Sequence, residues 1–304
     1  MFHCSEFDDM SVMHNLIRSR RLAGGARLAA VIALLSPIAA CSTLDSLNPF
    51  SKGEKYETKL LPDEQPDQIY DQGLARLSKK DSEGAAKRFN DLDKQYPFSQ
   101  QARKGQLMAT YAYYQGGKYD DAISSANRYV SLYPSSPDAP YAMYLAAMSY
   151  YNQVPDITRD QERSEKGLQM FQQLVERYPK SEYVDDAKYK ITVLRDQLGG
   201  KEMSVGRYYL GRNNYTGAVN RFREVIAKYQ TTRHIEEALY RLTEAYLALG
   251  IVNEAQTAAA VLGHNYPDSP WYQDAYNLLQ KGGYSPNENS ASWISKAFKR
   301  IGLG

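Results

Sequence analysis

Residues 88–123, RFNDLDKQYPFSQQARKGQLMATYAYYQGGKYDDAI, contain the pattern that decides the fold, because a short motif within them recurs along the chain. The motif YPFS at 96–99 recurs as YPSS at 133, YPKS at 178, YQTT at 229 and YPDS at 266. A small residue lies twelve positions before the second residue of every motif, and these are Ala85, Ala122, Gly167, Ala218 and Ala255. Self-similarity at a constant spacing is typical of repeat proteins.

Two further sets of residues recur with these motifs. Small residues lie another twelve positions earlier in four units, at Gly73, Thr110, Gly206 and Thr243. A bulky or small apolar residue follows each inner small residue by four positions, at Phe89, Ala126, Phe171, Phe222 and Ala259. Small residues let two helices approach closely, and Pro prevents the second helix from continuing. The pattern matches the tetratricopeptide repeat and predicts an all-α fold, a right-handed superhelix (α-solenoid) of five such repeats.

The predicted units span about 66–97, 98–134, 135–179, 180–230 and 231–268, with a capping helix at 270–281. Eight extra residues near NQVPDITRDQER (152–163) predict an insertion in the third repeat, and 14 extra residues predict an extended first helix in the fourth. We expect Gly199-Gly200 to kink or break that helix, because each Gly costs about 1 kcal/mol there. Hydroxyl residues recur at the predicted start of the next helix, where they are expected to cap it: Ser99, Ser136, Ser181, Thr232 and Ser269.

The N-terminus has the pattern of a secretory signal. Several arginines precede an apolar stretch at 28–40 that is too short to cross a bilayer, which predicts a signal peptide over residues 1–40. Acidic residues before Met10 favour Met10 or Met13 as the true start. The sequence IAAC at 38–41 resembles a bacterial lipobox, which implies an S-diacylglycerol and an N-acyl chain on Cys41. The alternative is an ordinary secreted protein with an incidental cysteine.

The segments on either side of the repeats differ in character. Residues 41–65 are rich in polar residues and Pro, which predicts a flexible tether. In the C-terminal tail, residues 282–304, a short amphipathic helix is predicted. Its apolar stripe is Trp293, Ile294, Ala297, Phe298 and Ile301, with Lys296, Lys299 and Arg300 beside it. This stripe is expected either to touch a membrane or a partner, or to belong to a mobile tail that packs on nothing.

Residues for catalysis or metal binding are scarce. The 37 basic and 35 acidic residues nearly cancel, which disfavours nucleic acid as a partner. Only His234 and His264 follow the predicted cleavage site, and both are expected to be solvated, so no metal and no cofactor other than the lipid are predicted. Acidic pairs such as Asp120-Asp121 leave glycan cleavage open as an alternative, although the chain is predicted not to be an enzyme.

Tyrosine is the most over-represented residue, with 26 copies. Stacked helix pairs form an extended concave surface that binds other chains, and Tyr offers a large contact area plus a hydroxyl group. Tyr113 and Tyr150 occupy positions of the repeat pattern and are expected to pack inside. The predicted groove for a substrate strand consists of Tyr70, Tyr111, Tyr114, Tyr141 and Tyr144.

The lipobox, the five repeats and three segments together resemble the BamD family, lipoproteins of the β-barrel assembly machinery. The segments are residues 88–123, YAMYLAAMSYY at 141–151 and YYLGRNNYTGAVNRF at 208–222. This resemblance implies a lipid-anchored scaffold on the periplasmic face of the outer membrane. It also implies binding of BamA periplasmic domains, of BamC and BamE where they exist, and of the C-terminal signal strand of nascent barrel proteins.

Docking of BamA is predicted on the later repeats, at Arg207, Arg221 and Arg223, because arginine side chains suit carboxylate partners across an interface. A solvated basic helix face is the alternative for these arginines. For the whole chain, the alternative within the periplasm is a repeat adaptor similar to YbgF of the Tol-Pal system.

Overall fold

The computed structural model describes residues 64–300, so the predicted signal peptide, Cys41, most of the tether and Ile301 lie outside the described residues. Within 64–300 the regular structure is helical throughout, with no strand. The helices are α1 Pro66–Ser78, α2 Ser82–Gln95, α3 Gln100–Gln115, α4 Tyr119–Leu132, α5 Ala139–Tyr151, α6 Glu162–Arg177, α7 Val184–Gly211, α8 Tyr215–Lys228, α9 Ile235–Ala248, α10 Val252–Asn265, α11 Pro270–Lys281 and α12 Trp293–Arg300.

Helices α1 to α10 form consecutive pairs, and each pair lies inside one of the predicted units. Every helix of this series packs on the next one along the chain. Contacts also join first helices of neighbouring pairs, namely α1 with α3, α3 with α5, and α9 with α11. The first helices therefore share one side of the stack, and the predicted all-α class is confirmed.

Within the pairs, the small and aromatic positions of the repeat are complementary in size. A Cβ atom added to Gly73 would lie 2.4 Å from the ring of Phe89, and one added to Gly206 would lie 2.4 Å from the ring of Phe222. Both rings are fully buried. In the second and fifth units, Thr takes the place of Gly and Ala takes the place of Phe, as Thr110 with Ala126 and Thr243 with Ala259. The size of the residue on the first helix thus matches the size of the residue that packs on it from the second helix of the same pair.

The two predicted insertions pack against each other. The loop at 152–161 connects α5 to α6, and α7 has 28 residues where α8 has 14. Gln197 Nε2 of α7 donates a hydrogen bond to the carbonyl of Pro155 at 3.0 Å, and Lys201 Nζ donates to the carbonyl of Thr158 at 3.1 Å. The extra length of α7 therefore supports the extra loop of the third pair.

The expected break at Gly199-Gly200 does not form, because α7 is one continuous helix. Both glycines are buried under the loop that leads to α9. A Cβ at Gly199 would lie 3.3 Å from Thr232 Oγ1, and one at Gly200 would lie 3.2 Å from His234 Nε2. The glycines let this loop approach the helix, and the packing offsets their low helix propensity.

Close packing on α7 also overturns the expectation that His234 is solvated. Its side chain is only 16% exposed, and its Nε2 lies 3.6 Å from Asp196 Oδ1. Arg233 Nε contacts the other oxygen of Asp196 at 3.1 Å. Burial lowers the pKa of His234, against the attraction of Asp196. His264 is exposed, as predicted.

Only one of the predicted hydroxyl caps forms. Ser99 accepts a hydrogen bond from the amide of Ala102 at 3.0 Å and caps α3. The others make no capping bond: Ser136, Ser181, Thr232 and Ser269. At Ser136, for example, the hydroxyl accepts from the amide of Asp138 and the helix begins at Ala139. At Ser136, Ser181 and Thr232 a turn thus separates the hydroxyl from the helix and puts its orphan amides beyond reach, whereas Ser269 directly precedes α11 but makes no capping bond.

The C-terminal tail packs on the same chain, so the expectation of a tail that packs on nothing is wrong. Helix α12 contacts α8 and α10, with Ile294 and Phe298 fully buried there. Trp293 Nε1 donates to the hydroxyl of Tyr246 at 3.2 Å, and Ser292 Oγ donates to Glu254 Oε2 at 2.6 Å. Within the described residues, the apolar side of α12 is therefore not free to insert into a membrane, because the second helices of the last two pairs cover Ile294 and Phe298.

Candidate functional site

Two of the predicted groove tyrosines, Tyr141 and Tyr144, pack against a third tyrosine that the sequence did not single out. Tyr183, the residue before α7, stacks on Tyr144 with ring centroids 4.9 Å apart and an interplanar angle of 26°. Its ring centroid lies 5.4 Å from that of Tyr141. Tyr111 and Tyr114 of α3 are close enough to influence the ionisation of Tyr141. We call these five half-buried residues the tyrosine cluster.

Burial raises the pKa of three phenols in this cluster, Tyr141, Tyr144 and Tyr183, and so favours their neutral forms. The hydroxyl of Tyr144 donates to Asp186 Oδ2 at 2.8 Å. Burial, followed by this hydrogen bond, raises the pKa of Tyr144 well above its usual range, and burial raises the pKa of Tyr183 to about 12. The hydroxyl of Tyr114 accepts from Asn152 Nδ2 at 3.1 Å. The cluster thus combines apolar ring faces with hydroxyls that donate or accept, which suits contact with a peptide.

The remaining predicted groove residue, Tyr70, lies elsewhere. Its ring centroid is 5.6 Å from that of Phe89, and it packs against the hydrophobic core of the first pair. Tyr113, which was expected to pack inside, belongs to the same core, and its hydroxyl accepts from Asn90 Nδ2 at 2.7 Å. Tyr150 is half-buried beneath Arg163, as expected for a packing position.

A cavity of about 610 Å³ adjoins the tyrosine cluster, with Tyr183 lining both. Its walls come from two of the repeat motifs, YPSS at 133–136 and YPKS at 178–181. The hydroxyl of Tyr178 donates to the carbonyl of Pro134 at 2.9 Å and ties the two motifs together. The lining also includes Arg177 and Lys180, neither of which forms an ion pair with any residue in 64–300. The result is a largely apolar cavity whose lining carries two cations and one carboxylate, Glu182.

Sequence reasoning missed this cavity because the motifs had already been explained as helix stops. The available signal was the density of prolines, since Pro134, Pro137, Pro140 and Pro179 all line it. Tyr183, two residues after the motif hydroxyl Ser181, was a second signal. Residues that end helices can also build a surface.

The three predicted docking arginines do not form one patch. Arg207 pairs with Glu237 of α9 at 2.8 Å, and Arg221 pairs with Glu202 of α7 at 3.2 Å. Arg223 lies over the ring of Trp293 in α12, 4.8 Å from its centroid. Arg221 and Arg223 are two positions apart on α8, about 200° around a helix, which explains their different neighbours.

The structure offers little material for other chemistry in the part of the chain that it describes. There, no three His, Cys, Asp or Glu side chains are placed to hold a metal ion. Asp120 of one acidic pair binds Arg163 at 2.7 Å. None of the helices in 64–300 has both the length and the apolar character that crossing a bilayer requires.

Comparison with known proteins assigns the family. Residues 62–262 match the family YfiO, described as an outer membrane lipoprotein. A relative from Caulobacter vibrioides, the outer membrane protein assembly factor BamD, is 43% identical and the match covers 77% of each chain. The chain belongs to the BamD family. Its role is therefore that of an outer membrane protein assembly factor, as the resemblance implied.

Other BamD proteins extend the match. Those of Rickettsia prowazekii and Neisseria meningitidis serogroup A are 40% and 34% identical, over 70% and 72% of this chain and 84% and 86% of theirs. Among solved structures, the TPR2AB domain of yeast Sti1 in its pHSP90 complex aligns with 78% of this chain and 88% of that chain at 12% identity, with a TM-score of 0.36. The BamD family match ends at residue 262, so α11 and α12 lie beyond it.

Proposed function

We propose that this protein is a lipid-anchored scaffold on the periplasmic face of the outer membrane. In this scheme it binds BamA, with BamC and BamE where present, and recognises the C-terminal signal strand of nascent barrel proteins. The observation that carries the proposal is the tyrosine cluster, which lies next to a largely apolar cavity lined by Arg177, Lys180 and one carboxylate, Glu182. A strand that ends in an aromatic residue and a free carboxylate offers a ring for the tyrosines and a partner for the two cations.

Peptide binding tests the strand-recognition site. We expect a peptide that ends in Phe with a free carboxylate to bind about tenfold more weakly to Tyr141→Ala or Lys180→Glu than to the parent chain. Amidation of the peptide should weaken binding to the parent more than to Lys180→Glu. Tyr276→Ala, a tyrosine of α11 that is 40% exposed, is the matched control. Equal affinity of all four chains for the peptide would rule out this site.

Docking of BamA is tested at Arg221, whose pairing with Glu202 needs its own control. We expect Arg221→Ala to reduce co-purification with BamA. Glu202→Ala removes the same ion pair but leaves the arginine free, so it should retain or strengthen binding. If both variants weaken co-purification equally, the ion pair rather than the arginine matters, and the docking assignment is wrong.

The anchor is tested by metabolic labelling. One acyl chain gives only marginal membrane binding, whereas several chains hold a protein permanently, so the proposed lipid on Cys41 is sufficient for residence. We expect labelled palmitate on the parent chain and none on Cys41→Ser. Equal labelling of both chains would exclude Cys41 as the attachment point.

A further inference from the structure

The C-terminal strap, residues 285–300, is fixed along the second helices of the fourth and fifth pairs. Gln256 Nε2 of α10 donates to the carbonyl of Ser285 at 2.8 Å, and Gln230 Nε2, after α8, donates to the carbonyl of Ala297 at 3.3 Å. With Ile294 and Phe298 buried beneath it, α12 has one orientation relative to the repeats. Its outer face is therefore a defined surface of the protein.

That outer face carries only positive charge. Lys296, Lys299 and Arg300 are exposed, on the side of α12 opposite to Ile294 and Phe298. The helix contains no acidic residue, and none of the three cations forms an ion pair with a residue in the described range. The neighbouring helices α7 and α8 differ in this respect, because most of their cations have a carboxylate or an aromatic partner, as Arg207, Arg221 and Lys228 do.

A fourth cation joins this face at the N-terminal end of α12. The guanidinium of Arg223 lies over the ring of Trp293, and its side chain is exposed to solvent. Because Trp293 is itself held by Tyr246, this arginine is directed toward the strap rather than toward α7. We call Arg223, Lys296, Lys299 and Arg300 the strap cations.

We propose that the strap cations bind the headgroups of an anionic phospholipid surface. The apolar side of α12 is buried in the protein, so the helix does not insert and the contact is electrostatic. Half of the strap cations are lysines, which act as point charges and suit a dispersed layer of phosphates. Lysine is depleted in the cores of protein interfaces, which disfavours an acidic protein as the partner.

An anchored chain needs only a weak second contact to fix its orientation. If Cys41 carries the proposed lipid, the strap cations meet the membrane at a high effective concentration, so a few charges suffice. The strap would then hold the fourth and fifth pairs at the bilayer. The lipid-binding proposal itself does not depend on the anchor, since it is tested without one.

Vesicle co-sedimentation tests the proposal with the unlipidated chain from Ser42 to Gly304, which retains every buried apolar residue that the structure describes. We expect binding to vesicles that contain phosphatidylglycerol, weakening with added salt, and little binding to vesicles of phosphatidylethanolamine alone. The triple variant Lys296→Glu, Lys299→Glu, Arg300→Glu should lose at least about tenfold in affinity for the anionic vesicles.

A matched control separates the strap from net charge. Lys87, Lys94 and Lys104 are also exposed, and their replacement by Glu makes the same change of charge on α2 and α3. We expect this control to bind anionic vesicles nearly as the parent does, and circular dichroism should show both variants folded. The proposal is overturned if both triple variants lose binding equally, or if the parent ignores anionic vesicles. It is likewise overturned if the strap variant binds anionic vesicles as the parent does but no longer co-purifies with an envelope protein. The strap cations would then bind an acidic protein surface instead of lipid headgroups.

Discussion

Replacement of Gly206 by Ala tests the size complementarity inside a repeat. The added Cβ would lie 2.4 Å from Cε1 of Phe222, far inside van der Waals contact. Phe222 is fully buried in the hydrophobic core that residues of α7 to α12 form, so its ring is enclosed by other side chains. In the same helix, Gly211 has no atom within 4 Å of such a Cβ. One substitution in two places on α7 thus isolates the packing from the helix propensity.

The two substitutions are expected to change the free energy of unfolding in opposite directions. Overpacking of a core costs about 1 to 3 kcal/mol, and Ala in place of Gly returns up to about 1 kcal/mol of helix propensity. Because a 2.4 Å contact puts the overpacking cost near the upper end of that range, Gly206→Ala should destabilise the protein by about 2 kcal/mol. The Cβ of Gly211→Ala contacts no other atom, so this variant should stabilise the protein by about 0.5 kcal/mol. The gain is smaller than the full difference in helix propensity between Gly and Ala because residue 211 is the last of α7.

Urea and thermal unfolding of the chain from Ser42 to Gly304 measure both effects. For a chain of this size, 1 kcal/mol corresponds to about 2 to 4 °C in Tm, so the two variants should differ by several degrees. Equal stabilities of Gly206→Ala and Gly211→Ala would refute the reasoning. A second check follows from the repeats themselves, because units two and five carry Thr and Ala at these positions.

The double variant Gly206→Thr, Phe222→Ala imports that combination into the fourth unit. Phe222→Ala alone should cost about 3 to 5 kcal/mol through the cavity it leaves. The added threonine side chain fills part of that space, so the double variant should be more stable than Phe222→Ala. If the two changes are simply additive in destabilisation, the positions are not coupled.

Three further predictions concern the rest of the described chain. Burial lowers the pKa of His234 below 6.5, so the unfolded state takes up a proton before the folded state does, and stability falls as the pH drops below 6.5. The variant His234→Gln should flatten this dependence of Tm on pH. An unchanged slope would contradict the prediction. Phe298→Ala should destabilise the strap by about 3 to 5 kcal/mol, whereas Lys299→Ala should stay within about 0.5 kcal/mol in the same urea titration. Tyr144→Phe should cost about 0.5 to 1.5 kcal/mol by loss of its bond to Asp186, and the cost should vanish in an Asp186→Ala background.

The repeat pattern was predictable because it is local. Spacings of twelve residues, small residues and proline stops act within one helix pair, so the helix pairs could be located from sequence alone. The lengthened α7 followed from the same count of residues. Membership of the BamD family was also accessible, since it depends on motifs that can be read in order along the chain.

The errors arose where residues far apart in sequence meet. Gly199-Gly200 looked like a break because helix propensity is all that a local reading contains, yet the loop around His234 packs on them. The apolar stripe of α12 looked free because its cover, α8 and α10, lies tens of residues earlier. Of the predicted strand groove, Tyr70 separated from the others while Tyr183 joined them.

The sequence by itself determined the helix pairs, their order and the family, because these depend on spacing along the chain. The tertiary structure alone decided which faces stay exposed. It paired the docking arginines with three different helices, joined two proline motifs around one cavity, and turned the cations of α12 outward by burying its apolar side. Exposure depends on which distant helix covers a surface, and spacing within one repeat does not contain that information.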